Sequence, residues 1–157
     1  MPLPSVSAPK SRRGSYDRRV PFRKDRKIEL LARVPLFTHC SKRELTRIAA
    51  LADLVAFREG DTVMTEGKPG MEAFVIVDGR ARVTRSGRKI SDLEAGDWFG
   101  EIALLSAVPR TATVVAVSPL QTLVLTRRGL SDLIHDVPSI GTKMLASVGD
   151  RLATHTI

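Results

Sequence analysis

The sequence predicts an α+β fold, mainly β: an eight-stranded antiparallel β-barrel of double-stranded β-helix, jelly-roll-like form, flanked by N- and C-terminal helices. Three observations carry that expectation. Beyond Asp53 the apolar period falls to two, and Gly60, Gly67, Gly70, Gly79, Gly87, Gly96 and Gly100 punctuate the run as in short antiparallel strands. On either side of this region the period lengthens to that of a helix. The whole chain has 157 residues, 43% of them hydrophobic, which suffices for one core and is short for two domains.

Taken in order, Ile28, Leu30 and Leu31 predict a short helix that ends before Val34-Pro35-Leu36-Phe37, because proline restricts the residue preceding it. Ser41 and Glu44 form a Ser-x-x-Glu capping box, and Leu45, Ile48, Ala49 and Leu51 continue at helical spacing to Ala52. Ala73 to Val77 reads as a buried strand, Asp78-Gly79 as a tight hairpin turn and Ala81 to Arg85 as the return strand. Ser86-Gly87 then turns the chain into Lys89 to Leu93. The run from Glu101 to Leu105 fits a single helical turn, and Pro109 ends the loop after it. Thr111 to Val117 and Leu120 to Thr126 are two β-branched runs joined at Ser118-Pro119. Leu130, Leu133 and Ile134, then Ile140, Met144, Leu145, Val148 and Leu152, mark two C-terminal helices with a break at Pro138. No repeat of fixed period is present.

The net charge of +8 is unevenly placed. Residues 1–27 hold nine Lys or Arg against Asp17 and Asp25, whereas the remainder holds 16 basic and 15 acidic side chains. With Pro2, Pro4 and Pro9 and few apolar groups, residues 1–27 are expected to be a disordered basic tail ahead of a folded domain over 28–157. Such a tail attracts nucleic acid or anionic membrane electrostatically, and the plainer reading is a solubilising extension. No stretch of 18 apolar residues exists, and the N-terminus lacks the apolar core of a secretory signal. A single cysteine, Cys40, suits a reducing compartment, so the expected location is the cytoplasm and the expected role of Cys40 is a small buried or half-buried filler.

The chemistry concentrates in Phe99 to Val114. A glycine opening a one-turn helix leaves backbone N–H groups at Ile102 and Ala103 available to an anion, a phosphate cradle of small size. Arg110, at the mouth of the next strand, can grip the same anion through two guanidinium donors. Glu101 is an odd neighbour for an anion unless the ligand also offers a hydroxyl, which a carboxylate accepts strongly. A phosphate beside a hydroxyl describes a ribose 3′,5′-cyclic phosphate with its free 2′-OH.

The segment Phe99-Gly-Glu-Ile-Ala-Leu-Leu with Pro109-Arg-Thr-Ala112 resembles the phosphate-binding cassette of cyclic nucleotide-binding domains. The resemblance covers about residues 28 to 153 and includes Pro35-Leu36-Phe37, Glu59-Gly60-Asp61, Glu66-Gly67, Gly79 and Gly96-Asp97. It implies that Glu101 binds the 2′-OH, that Arg110 binds the exocyclic phosphate oxygens, and that the backbone of Gly100, Ile102, Ala103 and Ala112 meets the other acceptors. It implies cAMP or cGMP as ligand, with no further cofactor. In the family a threonine after the arginine can also meet the amine of a syn guanine, so Thr111 admits cGMP without excluding cAMP. Residues 137–157 hold no aromatic side chain, so a lid over the base would be aliphatic, from Met144, Leu145, Val148 or Leu152.

Catalysis finds little support. A metal-dependent cupin needs histidines on its strands, whereas His39 precedes the strand region and His135 and His155 follow it. No Gly-x-Ser-x-Gly, Walker lysine loop or Cys/His couple is present. Only five residues follow Leu152, too few for a helix-turn-helix, a kinase or a pore. The expectation is a stand-alone, non-enzymatic cyclic nucleotide receptor that relays occupancy through its C-terminal helices to an unidentified protein partner. The alternative is a ligand-independent adaptor whose basic tail binds nucleic acid or membrane.

Overall fold

The computed structural model describes residues 23–156. Its elements run α1 (Lys24–Ala32), a 3-10 turn (Pro35–Phe37), α2 (Lys42–Ala49), β1 (Asp53–Phe57), β2 (Thr62–Met64), β3 (Glu72–Asp78), β4 (Ala81–Arg85), β5 (Arg88–Leu93) and β6 (Trp98–Phe99). There follow α3 (Ile102–Leu105), β7 (Thr113–Ala116), β8 (Leu120–Thr126), α4 (Arg127–Asp136) and α5 (Pro138–Thr156). The eight strands and flanking helices match the sequence expectation, but the barrel does not close. Two four-stranded antiparallel sheets form instead, ordered β1-β8-β3-β6 and β2-β7-β4-β5. Closure would need ladder pairing between edge strands of the two sheets, and β2 and β6, at three and two residues, supply little backbone for it. A jelly-roll-like sandwich is the result.

Why β3 is apolar without alternation follows from its place in the first sheet. Phe74 and Ile76 face the second sheet and pack with Phe57, Val63, Phe99, Val114 and Leu120. Ala73 and Val75 face outward, yet that side is covered by the helices through Leu30, Phe37, Ile48, Leu130 and Ile140. A strand buried on both faces needs apolar residues at every position. Each of the larger ones, Phe74, Val75 and Ile76, contributes about 1.5–3 kcal/mol by leaving water. Phe74 is 2% exposed and stacks on Phe99 at 4.9 Å, so Phe74→Ala is expected to cost about 3–5 kcal/mol.

The helical layer is fastened by polar contacts at its ends. The capping box forms as expected: Glu44 N donates to Ser41 Oγ at 3.1 Å and Ser41 N to Glu44 Oε1 at 2.7 Å. That carboxylate does more than cap. Ser139 Oγ donates to Oε2 at 2.6 Å and Lys143 Nζ to Oε1 at 2.7 Å, which ties α2 to the first turns of α5. These bonds, chiefly that from Lys143, hold the Glu44 carboxyl down at about 2. His39 and Asp150 meet at 2.6 Å further along α5, and Cys40 is half-buried against the helical core.

Several element boundaries differ from expectation, among them that of α2, which ends at Ala49 rather than Ala52. Helix α1 begins at Lys24, so residues 24–27 of the basic segment are helical, and Lys27 Nζ donates to Ala52 O at 2.8 Å. Residues 1–22 of that segment lie outside the described residues. Strand β7 is shorter than the run Thr111 to Val117, because the backbone of Arg110 pairs with the β2–β3 loop rather than with a strand. Among the described residues no helix is long and apolar enough to cross a membrane.

Candidate functional site

The cassette sits where β6 ends. Gly100 has φ +76°, a left-handed conformation that turns the chain sharply from Trp98–Phe99 into α3. Ile102 to Leu105 make the single helical turn, with Glu101 at its N-cap position. One expected donor is already engaged: Ala103 N donates to Gly100 O at 3.1 Å, closing the turn in 3-10 fashion, so it is not a free cradle amide. At the other end of α3, Arg127 covers the exposed carbonyls. Its Nε donates to Ala103 O at 2.7 Å and its Nη2 to Ser106 O at 2.8 Å, a cation at a helix C-terminus.

Arg110 enters the same space from the opposite side. Its backbone is fixed by Arg110 N to Lys68 O at 2.9 Å and Gly67 N to Arg110 O at 2.8 Å. The residue is 8% exposed, and its guanidinium lies 5.9 Å from the Phe74 ring centroid. Its nearest acceptors are distant for so buried a cation: Gly100 O at 3.4 Å and Glu72 Oε1 at 3.6 Å. Burial pulls its pKa below the usual arginine range, with the Glu72 carboxylate opposing. A buried guanidinium with five donors and two long contacts has capacity left for an anion.

Glu101 is 7% exposed, and burial pushes its carboxyl above the usual range while Arg151 acts against that shift. Arg151 Nη1 donates to Oε1 at 3.1 Å and to Oε2 at 3.3 Å. The same guanidinium lies 5.6 Å from the Trp98 ring centroid. Gly100, Glu101, Ile102, Ala103, Arg110 and Thr111 line one pocket of about 130 Å³, together with Met64, Trp98, Val108 and Pro109. A second cavity of about 260 Å³ shares Met64 and Arg110 with it and is lined besides by Val63, Thr65, Lys68, Pro69 and Glu72.

The structure therefore brings together six of the seven expected binding residues. Ala112 is 4% exposed and is not among the residues that line the pocket. The four expected lid residues divide: Met144 is 4% exposed and belongs to the helical core, Val148 packs against that core, and Leu145 and Leu152 are 71% and 62% exposed. None of the four lines the pocket. Trp98 lines it and Arg151 holds its Glu101 carboxylate, two residues that no local pattern in the sequence marks. Glu72 and Arg127 were missed as well. These residues lie far apart in sequence, Arg151 50 positions from Glu101, so no local spacing marks them. Among the described residues no three His, Cys, Asp or Glu side chains gather in a way that could hold a metal ion.

Comparison with known proteins agrees with this geometry. The model of the cyclic nucleotide-binding domain family matches residues 54–136. A putative potassium channel protein of Rhodopseudomonas palustris is 37% identical over 119 residues, 73% of this chain and 29% of that protein. The cAMP-dependent protein kinase regulatory subunit of Mycosarcoma maydis is 40% identical over 92 residues, 56% of this chain and 18% of that one. The chain thus spans less than a third of these relatives. Among solved structures, the N-terminal domain of a transcriptional regulator from Streptomyces coelicolor A3(2) superposes with a TM-score of 0.76 at 26% identity. That match covers 81% of this chain and 92% of the other.

Proposed function

The chain belongs to the cyclic nucleotide-binding domain family, and from that premise we propose that it is a non-enzymatic receptor for cAMP or cGMP that relays occupancy through α5. The observation that carries the proposal is Arg110, a cation 8% exposed whose nearest acceptors stand 3.4 and 3.6 Å away beside the α3 turn. A buried charge with distant partners is costly, and a cyclic phosphate in the pocket supplies the missing acceptors.

In this reading the ribose 2′-OH donates to Glu101 while the phosphate takes Arg110 and the cassette amides other than that of Ala103, which Gly100 O already holds. Arg151 occupies the Glu101 carboxylate from α5 before the ligand arrives. Occupancy therefore changes what holds α5 in place, and the exposed Leu145 and Leu152 are the members of the aliphatic lid able to approach a base once α5 turns. The shift is a redistribution between two positions of one helix, biased by the ligand's preference for one of them. Output passes to a downstream protein partner in the cytoplasm. Residues 1–27, with nine basic side chains, add salt-sensitive contact to nucleic acid or anionic membrane rather than nucleotide affinity.

Calorimetric titration of the full chain with cAMP, cGMP and 5′-AMP tests the proposal. Saturable binding of at least one cyclic nucleotide, with 5′-AMP far weaker, is the expected result. The absence of binding by both cyclic nucleotides would leave the ligand-independent adaptor.

A further inference from the structure

Six glycines in the described chain, Gly60, Gly67, Gly79, Gly87, Gly96 and Gly100, adopt a positive φ that an L side chain would find strained. Gly70 does not. Its φ lies outside the left-handed region, so no φ requirement explains a glycine at this buried position between β2 and β3. The reason is across the pocket. A Cβ built on Gly70 would fall 1.9 Å from Arg110 Nε, 2.2 Å from Cζ and 2.7 Å from Cδ, so the side chain of Arg110 passes through the volume a methyl group would fill.

We infer that Gly70 is a positioning residue for the ligand: its missing side chain is the slot that aims the Arg110 guanidinium at the cassette. The rest of the β2–β3 loop serves the same end. Gly67 and Lys68 pair with both backbone groups of Arg110, and Glu72 faces its guanidinium at 3.6 Å. Gly100 closes the slot from the far side, where an added Cβ would stand 2.9 Å from Arg110 Nη1. Arg110 is thus threaded between two glycines, and of these only Gly70 is free of a φ requirement. Any side chain at Gly70 must displace the guanidinium, and the cavity of about 260 Å³ that Arg110 also lines, with no residue of the α3 turn among its walls, gives it somewhere to go.

This inference rests on Arg110 holding the phosphate, and the test separates the two claims. Binding of cAMP and cGMP is measured for the parent, Gly70→Ala, Arg110→Ala and the double variant, with the melting temperature of each in the absence of nucleotide. Gly70→Ala is expected to weaken binding roughly ten- to hundredfold, the scale of a displaced binding group. It should weaken binding no further once Arg110 is already alanine. In that background the substitution is expected to raise the melting temperature by about 1–4 °C, because alanine restricts the unfolded chain where the folded backbone tolerates it.

Parent-like binding by Arg110→Ala would overturn the phosphate reading itself. Loss of binding by Arg110→Ala with parent-like binding by Gly70→Ala would overturn the role of Gly70 alone. A fall in melting temperature from Gly70→Ala that is the same in both backgrounds would also overturn it, since Gly70 would then serve something other than Arg110. Should Gly70→Ala fail to fold, recovery of folding in the double variant supports the slot, and its absence contradicts it.

Discussion

Arg151 Nη1, in the last third of α5, lies 3.1 Å from Oε1 of Glu101, the residue that begins the cassette turn. One carboxylate therefore belongs both to the pocket and to the terminal helix. A ligand hydroxyl that claims it must share it with, or take it from, a guanidinium anchored 50 residues away.

Removing that guanidinium is the first prediction. The Arg151 side chain is 47% exposed, so solvent screening limits what its ion pair with the buried Glu101 is worth. Arg151→Ala is expected to raise cyclic nucleotide affinity about two- to fivefold, the equivalent of less than about 1 kcal/mol. Weaker binding in a calorimetric comparison would instead make Arg151 a ligand contact in its own right.

The phosphate clamp gives a larger effect. Arg110→Ala should weaken cAMP binding by roughly 2–5 kcal/mol, the range for truncating one partner of a buried charge pair. Glu101→Gln should weaken it less, because an amide oxygen still accepts the ribose hydroxyl. Equal losses from the two substitutions would contradict the division of roles between phosphate and sugar.

Acid stability should follow Glu44. Its carboxyl is held at about 2 by Lys143, Ser139 and Ser41, well below the ordinary value of 4.5. A depressed carboxylate stabilises the fold fully above its unfolded value, and the contribution is lost as pH falls through the folded value. The melting temperature is therefore expected to decline between pH 4.5 and about 2, with the α2–α5 junction loosening as Glu44 protonates. Glu44→Gln should flatten that limb of the curve, and an unchanged limb would place the acid sensitivity elsewhere.

Base choice has one lever in the pocket. Thr111 lines it, while its backbone carbonyl accepts a bond from Arg85 Nε at 3.0 Å that fixes the strand entrance. Thr111→Ala should reduce cGMP affinity more than cAMP affinity, by about 1 kcal/mol if one neutral hydrogen bond to the guanine amine is at stake. Equal losses would make Thr111 a phosphate contact only and leave selectivity to α5.

What the sequence made legible was local. Strands β4 and β8 fall on the residues the two-fold apolar pattern marks, and the Ser41–Glu44 box and the turn after Gly100 form as their spacing implies. What it did not reveal was long-range or cooperative. Whether eight strands close depends on the lengths of edge strands such as β6, only two residues long. The Ala103 amide was misread because a short turn satisfies its own donors. The aliphatic lid follows from composition, whereas helical packing buries Met144 and sets Arg151 on Glu101, and β6 brings Trp98 to the pocket. Gly70 looked like turn punctuation, and only the path of Arg110 distinguishes it from the glycines with positive φ.

Trp98 is the single tryptophan of the chain, lines the pocket, and has the Arg151 guanidinium 5.6 Å from its ring centroid. Its fluorescence therefore reports on the central claim without any modification of the protein. Titration with cAMP or cGMP is expected to change Trp98 emission saturably as Arg151 leaves Glu101, with the change attenuated in Arg151→Ala and shifted to much higher nucleotide concentration in Arg110→Ala. Emission that stays constant through saturating nucleotide would contradict the account, because occupancy of the pocket would then not move Arg151 from Glu101.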